Sequence, residues 1–142
     1  MNSTALPKKS SSIGEAQIKQ FIVSHSSKYS RRDFDASSRD YADPFLLDGR
    51  QTTRDAIIKA HRNSWSVADR VTEVALEPVR VSRLDDGRFA ASYIARRIFE
   101  KAGRKNVVKD AAWEMVLSAS DQGVQIVSQT FVNPESSRRE PR

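Results

Sequence analysis

Between Phe89 and Leu117 apolar residues recur at every second position, with one break at Lys101 to Arg104. A period of two predicts strands, here two long ones joined by a short connection. Phe89, Ala91, Tyr93, Ala95, Arg97 and Phe99 then share one face of the first strand. Val107, Lys109, Ala111, Trp113, Met115 and Leu117 share one face of the second. Both runs exceed the usual strand of about five or six residues. Antiparallel strands of that length twist and curl, and the hollow of a curled sheet has to be filled.

The first half of the chain supplies the filling. Ser12, Ile13, Gly14 and Glu15 read as a capping box that opens a helix running to Lys28. Its apolar stripe is Ile13, Ala16 or Gln17, Phe21 and Ser24, widened by Ile18 and Ile22. Ser30 to Asp33 opens a short second helix anchored by Phe34, which ends before Pro44 because a proline disfavours helical geometry at the residue before it. Phe45 to Leu47 is a short strand stopped by Asp48 and Gly49. Thr52 caps a third helix whose inner stripe is Ile57, Ala60, His61, Ser64 and Ala68, flanked by Ile58 and Trp65. From Val71 the period returns to two. Val71 to Ser82 is a strand, with Pro78 suited to an edge or bulge, and Asp85, Asp86 and Gly87 form the next turn. After the long hairpin a last strand, Val124 to Val132, closes the fold. Residues 1–12 are expected to be a disordered tail, 13–133 one folded domain, and 134–142 a charged mobile tail.

Composition narrows the function classes. The chain has 142 residues, enough for one domain with a core, and its 38% hydrophobic against 30% charged content fits a polar-surfaced protein. No apolar run approaches the length of a membrane span or a signal peptide, so a membrane partner is not expected and the cytoplasm is the expected location. There is no cysteine, which removes disulfides, thiolate metal sites and thiol nucleophiles. The two histidines lack metal-ligand spacing, and no glycine loop suited to phosphate is present, so neither a metal nor a cofactor is expected. The net charge is +6, but Lys8 and Lys9 carry two of these charges. Arg138, Arg139 and Arg142 against Glu135 and Glu140 carry one more. The rest is spread among acidic residues, without the basic face and aromatic partners of a nucleic-acid binder.

Three helices, a short strand between the second and third, and then a curved meander form an order that resembles the nuclear transport factor 2-like superfamily, SnoaL-like branch included. Locally, Tyr41 to Arg50 followed by Arg54 to Ile57 is similar to that family's passage from second helix through short strand to third helix. Gly103 to Val108 is similar to its central hairpin, and Trp113 stands where many members carry an aromatic. The resemblance covers Ile13 to Asn133. It implies an α+β cone, with three N-terminal helices packed in the concave face of a curved antiparallel sheet, a pocket between the two, and a homodimer through the sheet. It also implies either cofactor-independent isomerase, cyclase or dehydratase chemistry or a non-catalytic dimerisation or protein-interaction module.

An acid–base site of the isomerase kind needs a carboxylate near the short strand and hydroxyl or acid donors opposite. By resemblance Asp43 or Asp48 is the base. Phe21 and Ala112 stand near the donor positions, and Asp110 is the nearest substitute. From the residues themselves, His61 on the inner stripe is a candidate acid or base near neutral pH, whereas His25 falls near a frayed helix end and is expected to be exposed. Tyr41, Trp65, Tyr93, Trp113 and Phe131 are candidates to line an apolar pocket. Arg97, on the same face as Tyr93, would favour an anionic ligand, because an unpaired buried cation is costly. The expected ligand is therefore a small apolar or weakly anionic molecule.

Overall fold

The structure, a computed structural model, describes residues 13–121 and 123–132. The two expected tails and the Ser12 cap lie outside the described residues. In chain order the elements are α1 (Glu15–Ser30), α2 (Phe34–Arg39), β1 (Tyr41–Leu47), β2 (Arg50–Thr52), α3 (Arg54–Trp65), β3 (Arg70–Arg83), β4 (Phe89–Glu100), β5 (Val107–Ser120) and β6 (Gly123–Val132). One curved six-stranded sheet runs in the order β2-β1-β6-β5-β4-β3. Every pairing is antiparallel except β1 with β6, which is parallel.

The long hairpin sets the geometry. β4 and β5 stay in register from Phe89↔Leu117 through Tyr93↔Trp113 to Phe99↔Val107 without a bulge. The odd-numbered positions of both strands therefore remain on one face throughout. That face is the inner one: Phe89, Ala91, Tyr93, Ala95, Met115 and Leu117 are all buried. β3 lies at the sheet edge, and its pairing with β4 breaks between Leu76 and Arg80, around Pro78. Proline has no N–H to give to a ladder, so it sits at this irregular edge. At the other edge the β1–β2 hairpin turns through Asp48 and Gly49, both at positive φ (51° and 81°), as a two-residue turn matched to strand twist requires.

The helices cover the inner face. α1 buries Ile18, Ile22, His25, Ser26 and Tyr29, a stripe at helical spacing. It is rotated from the one anticipated: Ala16, Gln17 and Ser24 lie off it and are exposed. The anticipated stripe was centred on Ile13 and Phe21, whereas the real one runs through Ile18 and Ile22 and continues through polar groups that find partners inside. For the same reason α1 runs on to Ser30. Ser30 Oγ accepts from Glu73 N at 2.7 Å and donates to Glu73 O at 3.2 Å, tying the last turn to β3. The caps also differ from those anticipated. Gly14 is the N-cap of α1, its N–H bonded to Gln17 Oε1 at 2.9 Å. Asp33 caps α2 through Ala36 N, and Thr53, one residue past the anticipated Thr52, caps α3 through Ala56 N, each at 3.2 Å. For α2 and α3 the residue whose oxygen meets the amide three positions on is the cap.

Two apolar clusters result. The larger joins Ile18, Ile22, Phe45, Ile57, Phe89, Met115, Leu117 and Ile126 between the helices and the sheet. The smaller joins Tyr29, Phe34, Trp65 and Val71 where α1, α2 and α3 meet β3. The functional candidates lie between the two.

Candidate acid–base site

A cavity of about 200 Å³ opens between the helices and the inner sheet face. Its helical wall includes His25 and Tyr29 of α1 and His61 of α3. Its sheet wall includes Tyr41, Glu73, Tyr93, Arg97, Trp113 and Gln129. Tyr93 and Trp113 are register partners in the hairpin, so they enter the wall together. Phe131, the next partner of Trp113, packs edge-on against it at 5.6 Å between centroids and is 46% exposed.

The strongest polar grouping is centred on His25, which is 5% exposed. The burial of this residue overturns the expectation that it sits exposed at a frayed helix end. It lies seven residues after Ile18 and three after Ile22, on the buried stripe. His25 Nδ1 meets Asp40 Oδ2 at 2.8 Å, and Lys28 Nζ donates to Asp40 Oδ1 at 2.9 Å. A carboxylate on Nδ1 orients the ring and leaves Nε2 as its chemically available nitrogen. That Nε2 lies 3.3 Å from Tyr41 Oη, which in turn is 2.9 Å from Gln129 Oε1. The two ends of a carboxamide are interchangeable in space. Tyr41 can thus donate to Gln129 while accepting from His25, or donate to His25 while accepting from Gln129. Burial, followed by the charge of Glu73, raises the Tyr41 phenol well above its ordinary value and keeps it protonated.

A second network faces it. Arg97 Nε donates to Glu73 Oε1 at 2.8 Å, Ser26 Oγ donates to Glu73 Oε2 at 2.6 Å, and the guanidinium lies 4.0 Å over the Tyr29 ring. The premise of an unpaired arginine, from which an anionic ligand was expected, therefore does not hold. Tyr29 Oη bonds to Ser64 Oγ of α3.

His61 is 8% exposed, edge-on to Tyr29 at 5.0 Å, and its Nδ1 has no hydrogen-bond partner among the described residues. Burial, with smaller contributions from the Arg97 and His25 charges, lowers its pKa to about 3. It is a neutral imidazole across the physiological range.

Of the residues singled out from sequence, the structure brings Tyr41, His61, Tyr93, Arg97 and Trp113 together at the cavity. The carboxylates lie elsewhere. Asp43 is exposed and accepts from Arg54 N at 3.4 Å at the start of α3; Asp48 is exposed and accepts from Phe131 N at 2.8 Å. Asp110 is on the outer sheet face, in a two-pronged pair with Arg96 at 2.8 and 2.9 Å, because even-numbered positions of β4 and β5 point away from the helices. Trp65 belongs to the smaller cluster, where its Nε1 donates to Tyr29 O at 3.2 Å. The residues missed are His25, Asp40, Glu73 and Gln129. Continuing the α1 stripe through polar positions would have found His25. Asp40 and Glu73 carry no local signal, because their partners lie 15 and 24 residues away. Among the described residues no group of three metal-ligating side chains is placed to hold an ion, and no helix is long and apolar enough to cross a membrane.

No protein-family model matches the chain, and no curated protein matches it. Solved structures do. Aln2 from a Streptomyces species is 16% identical with a TM-score of 0.75, over 95% of this chain and 98% of that one. ActVI-ORFA from Streptomyces coelicolor is 15% identical with a TM-score of 0.72, over 84% and 97%. A protein from Novosphingobium aromaticivorans provisionally named scytalone dehydratase is 8% identical with a TM-score of 0.69, over 80% and 79%. At these identities the likeness is one of fold.

Proposed function

With the nuclear transport factor 2-like fold as premise, we propose that this chain binds a small molecule in the cavity between its helices and sheet and acts on it by cofactor-independent general acid–base chemistry, in the manner of an isomerase, cyclase or dehydratase. The observation that carries the reading is the buried His25–Asp40 pair with Tyr41 at His25 Nε2. A histidine held by a carboxylate on one nitrogen is set to take or give a proton at the other. Tyr41, protonated and within hydrogen-bond reach, passes that proton or donates to a developing oxyanion. The apolar remainder of the wall, Tyr93, Trp113 and Ile57 among it, excludes water and strengthens each of these interactions. His61, neutral and without a partner at Nδ1 among the described residues, offers a second polar contact without charge.

In this scheme His25 draws a proton from a carbon next to a carbonyl, or from a hydroxyl. Tyr41 supports the oxygen on which charge accumulates, and His25 returns the proton at the new position. The name carried by one of the fold neighbours, scytalone dehydratase, belongs to that protein; for this chain it supports a search among oxygenated cyclic compounds.

A thermal-shift screen of such compounds tests the reading. A bound ligand raises the melting temperature by mass action. Hits whose shift disappears in His25→Gln support it; shifts that persist unchanged in His25→Gln remove His25 from the site, and turnover that survives that substitution removes it from the chemistry.

A second reading has its own observation. The outer sheet face exposes Val74 and Val108 (43% and 54%) beside the Arg96–Asp110 pair. We propose that two copies meet through this face, either as the working form of the enzyme or as a non-catalytic dimerisation module. Light scattering at high concentration that shows a strict monomer removes this proposal.

A further inference from the structure

Among the described residues that line the cavity, Arg97 is the cation, and the acid–base scheme gives it no task. An unmatched guanidinium in a low-dielectric wall would draw carboxylates and phosphates. Arg97 is matched. Its Nε is spent on Glu73 Oε1 at 2.8 Å, and Glu73 is 8% exposed. The second oxygen of Glu73 is fixed by Ser26 of α1 at 2.6 Å, so the carboxylate cannot swing away to make room for a ligand anion. The Tyr29 ring lies against the guanidinium face at 4.0 Å. Burial alone would weaken the charge on Arg97, but Glu73 beside it holds the pKa above the ordinary value. Behind the helical wall the Asp40 carboxylate is matched in turn by Lys28 Nζ at 2.9 Å. His61 is neutral, and Tyr29, Tyr41 and Tyr93 are held as phenols. Each fixed charge in or behind the wall is thus answered within the protein.

We infer that Glu73 is a specificity-determining residue, and that by answering the charge of Arg97 it makes the cavity select an uncharged, oxygen-bearing molecule over a carboxylate of the same shape. The inference rests on the reading that the cavity binds a small molecule. It specifies the class: a neutral, largely apolar compound with a carbonyl or amide oxygen, received by the donors of the Arg97 fork that Glu73 does not occupy. A carboxylate entering the cavity would shed its hydration next to Glu73 and find no surplus positive charge. A neutral carbonyl loses far less water and still gains a charge-assisted hydrogen bond.

The test uses 2-naphthamide and 2-naphthoate, which share ring and shape and differ in charge at about pH 8, titrated calorimetrically into the full chain. The wild type is expected to bind the amide at least about tenfold more tightly than the carboxylate. Glu73→Gln, which keeps the shape and an oxygen for Arg97, is expected to lose or reverse that order. Equal or tighter binding of the carboxylate by the wild type overturns the inference whether or not the variant folds. An unchanged preference for the amide in folded Glu73→Gln overturns it as well. If neither compound binds the wild type, the ligand-cavity reading falls and takes this inference with it. A preference that survives intact in His25→Gln supports the inference, because the choice then rests on Glu73 and not on the imidazole.

Discussion

The burial of His61 makes the stability of the protein depend on pH in a way that one substitution removes. The imidazole has an ordinary pKa of 6.5 when the chain is unfolded and about 3 in the folded state. The unfolded chain therefore binds a proton over a range in which the folded protein refuses it. A lowered folded-state pKa of a base means that stability is full above the unfolded value and falls as the pH drops from 6.5 towards 3. Each pH unit in that window costs about 1.4 kcal/mol, so His61 alone accounts for a loss of about 2 kcal/mol between pH 7 and pH 5 and about 3 kcal/mol by pH 4. His61→Phe keeps an aromatic ring against Tyr29 and Phe34, which lie 5.0 and 6.1 Å from the imidazole, and cannot titrate. Urea unfolding of both proteins at pH 7, 6, 5 and 4 gives the difference directly, and titrations common to both cancel. The expected result is a gap that moves in favour of the variant by about 2 kcal/mol from pH 7 to pH 5. A gap that stays constant across this range refutes the buried, neutral, unpartnered description of His61.

Other outcomes follow from the same contacts. Asp40→Asn leaves Lys28 without its carboxylate and His25 without the group that orients it, and should cost about 2 kcal/mol in urea unfolding at pH 7. Ile22→Ala, at a position 0% exposed, opens a hole under α1 and should cost about 3 kcal/mol by the same measurement. Thr53→Ala removes the cap on Ala56 N and should cost about 1 kcal/mol. Asp43→Ala and Asp110→Ala, at carboxylates away from the cavity, should leave the affinity of any cavity ligand within about twofold. A larger loss in calorimetric titration would return these residues to the site.

How much of this could be read in advance depended on whether a residue acts through periodicity or through a distant partner. The unbroken alternation from Phe89 to Phe99 and from Val107 to Leu117 was legible because no bulge interrupts the β4–β5 ladder. It placed Tyr93, Arg97 and Trp113 on one face, and the helical spacing of α3 placed His61 opposite them. The helix boundaries were less legible: α1 extends to Ser30 because of Glu73 on β3, a contact 43 residues away. The carboxylates were the least legible. Asp43 and Asp48 attracted attention by their nearness to the short strand, yet both serve backbone amides at the surface. Asp40 and Glu73, whose neighbours in the chain say nothing of burial, hold His25 and Arg97. A stripe centred on Ile13 and Phe21 passed over His25, whose burial is made tolerable by Asp40 and Tyr41, which arrive only in the tertiary fold.

The chain has two histidines, and both line the cavity. Long-range proton–nitrogen spectra of the imidazoles, recorded while 2-naphthamide or the best screening hit is titrated in, therefore report on the site and little else. The account predicts that the His25 and His61 ring signals both move, saturate together, and yield the same dissociation constant. A compound that raises the melting temperature while leaving both imidazoles unmoved binds elsewhere, and would contradict the assignment of this cavity as the functional site.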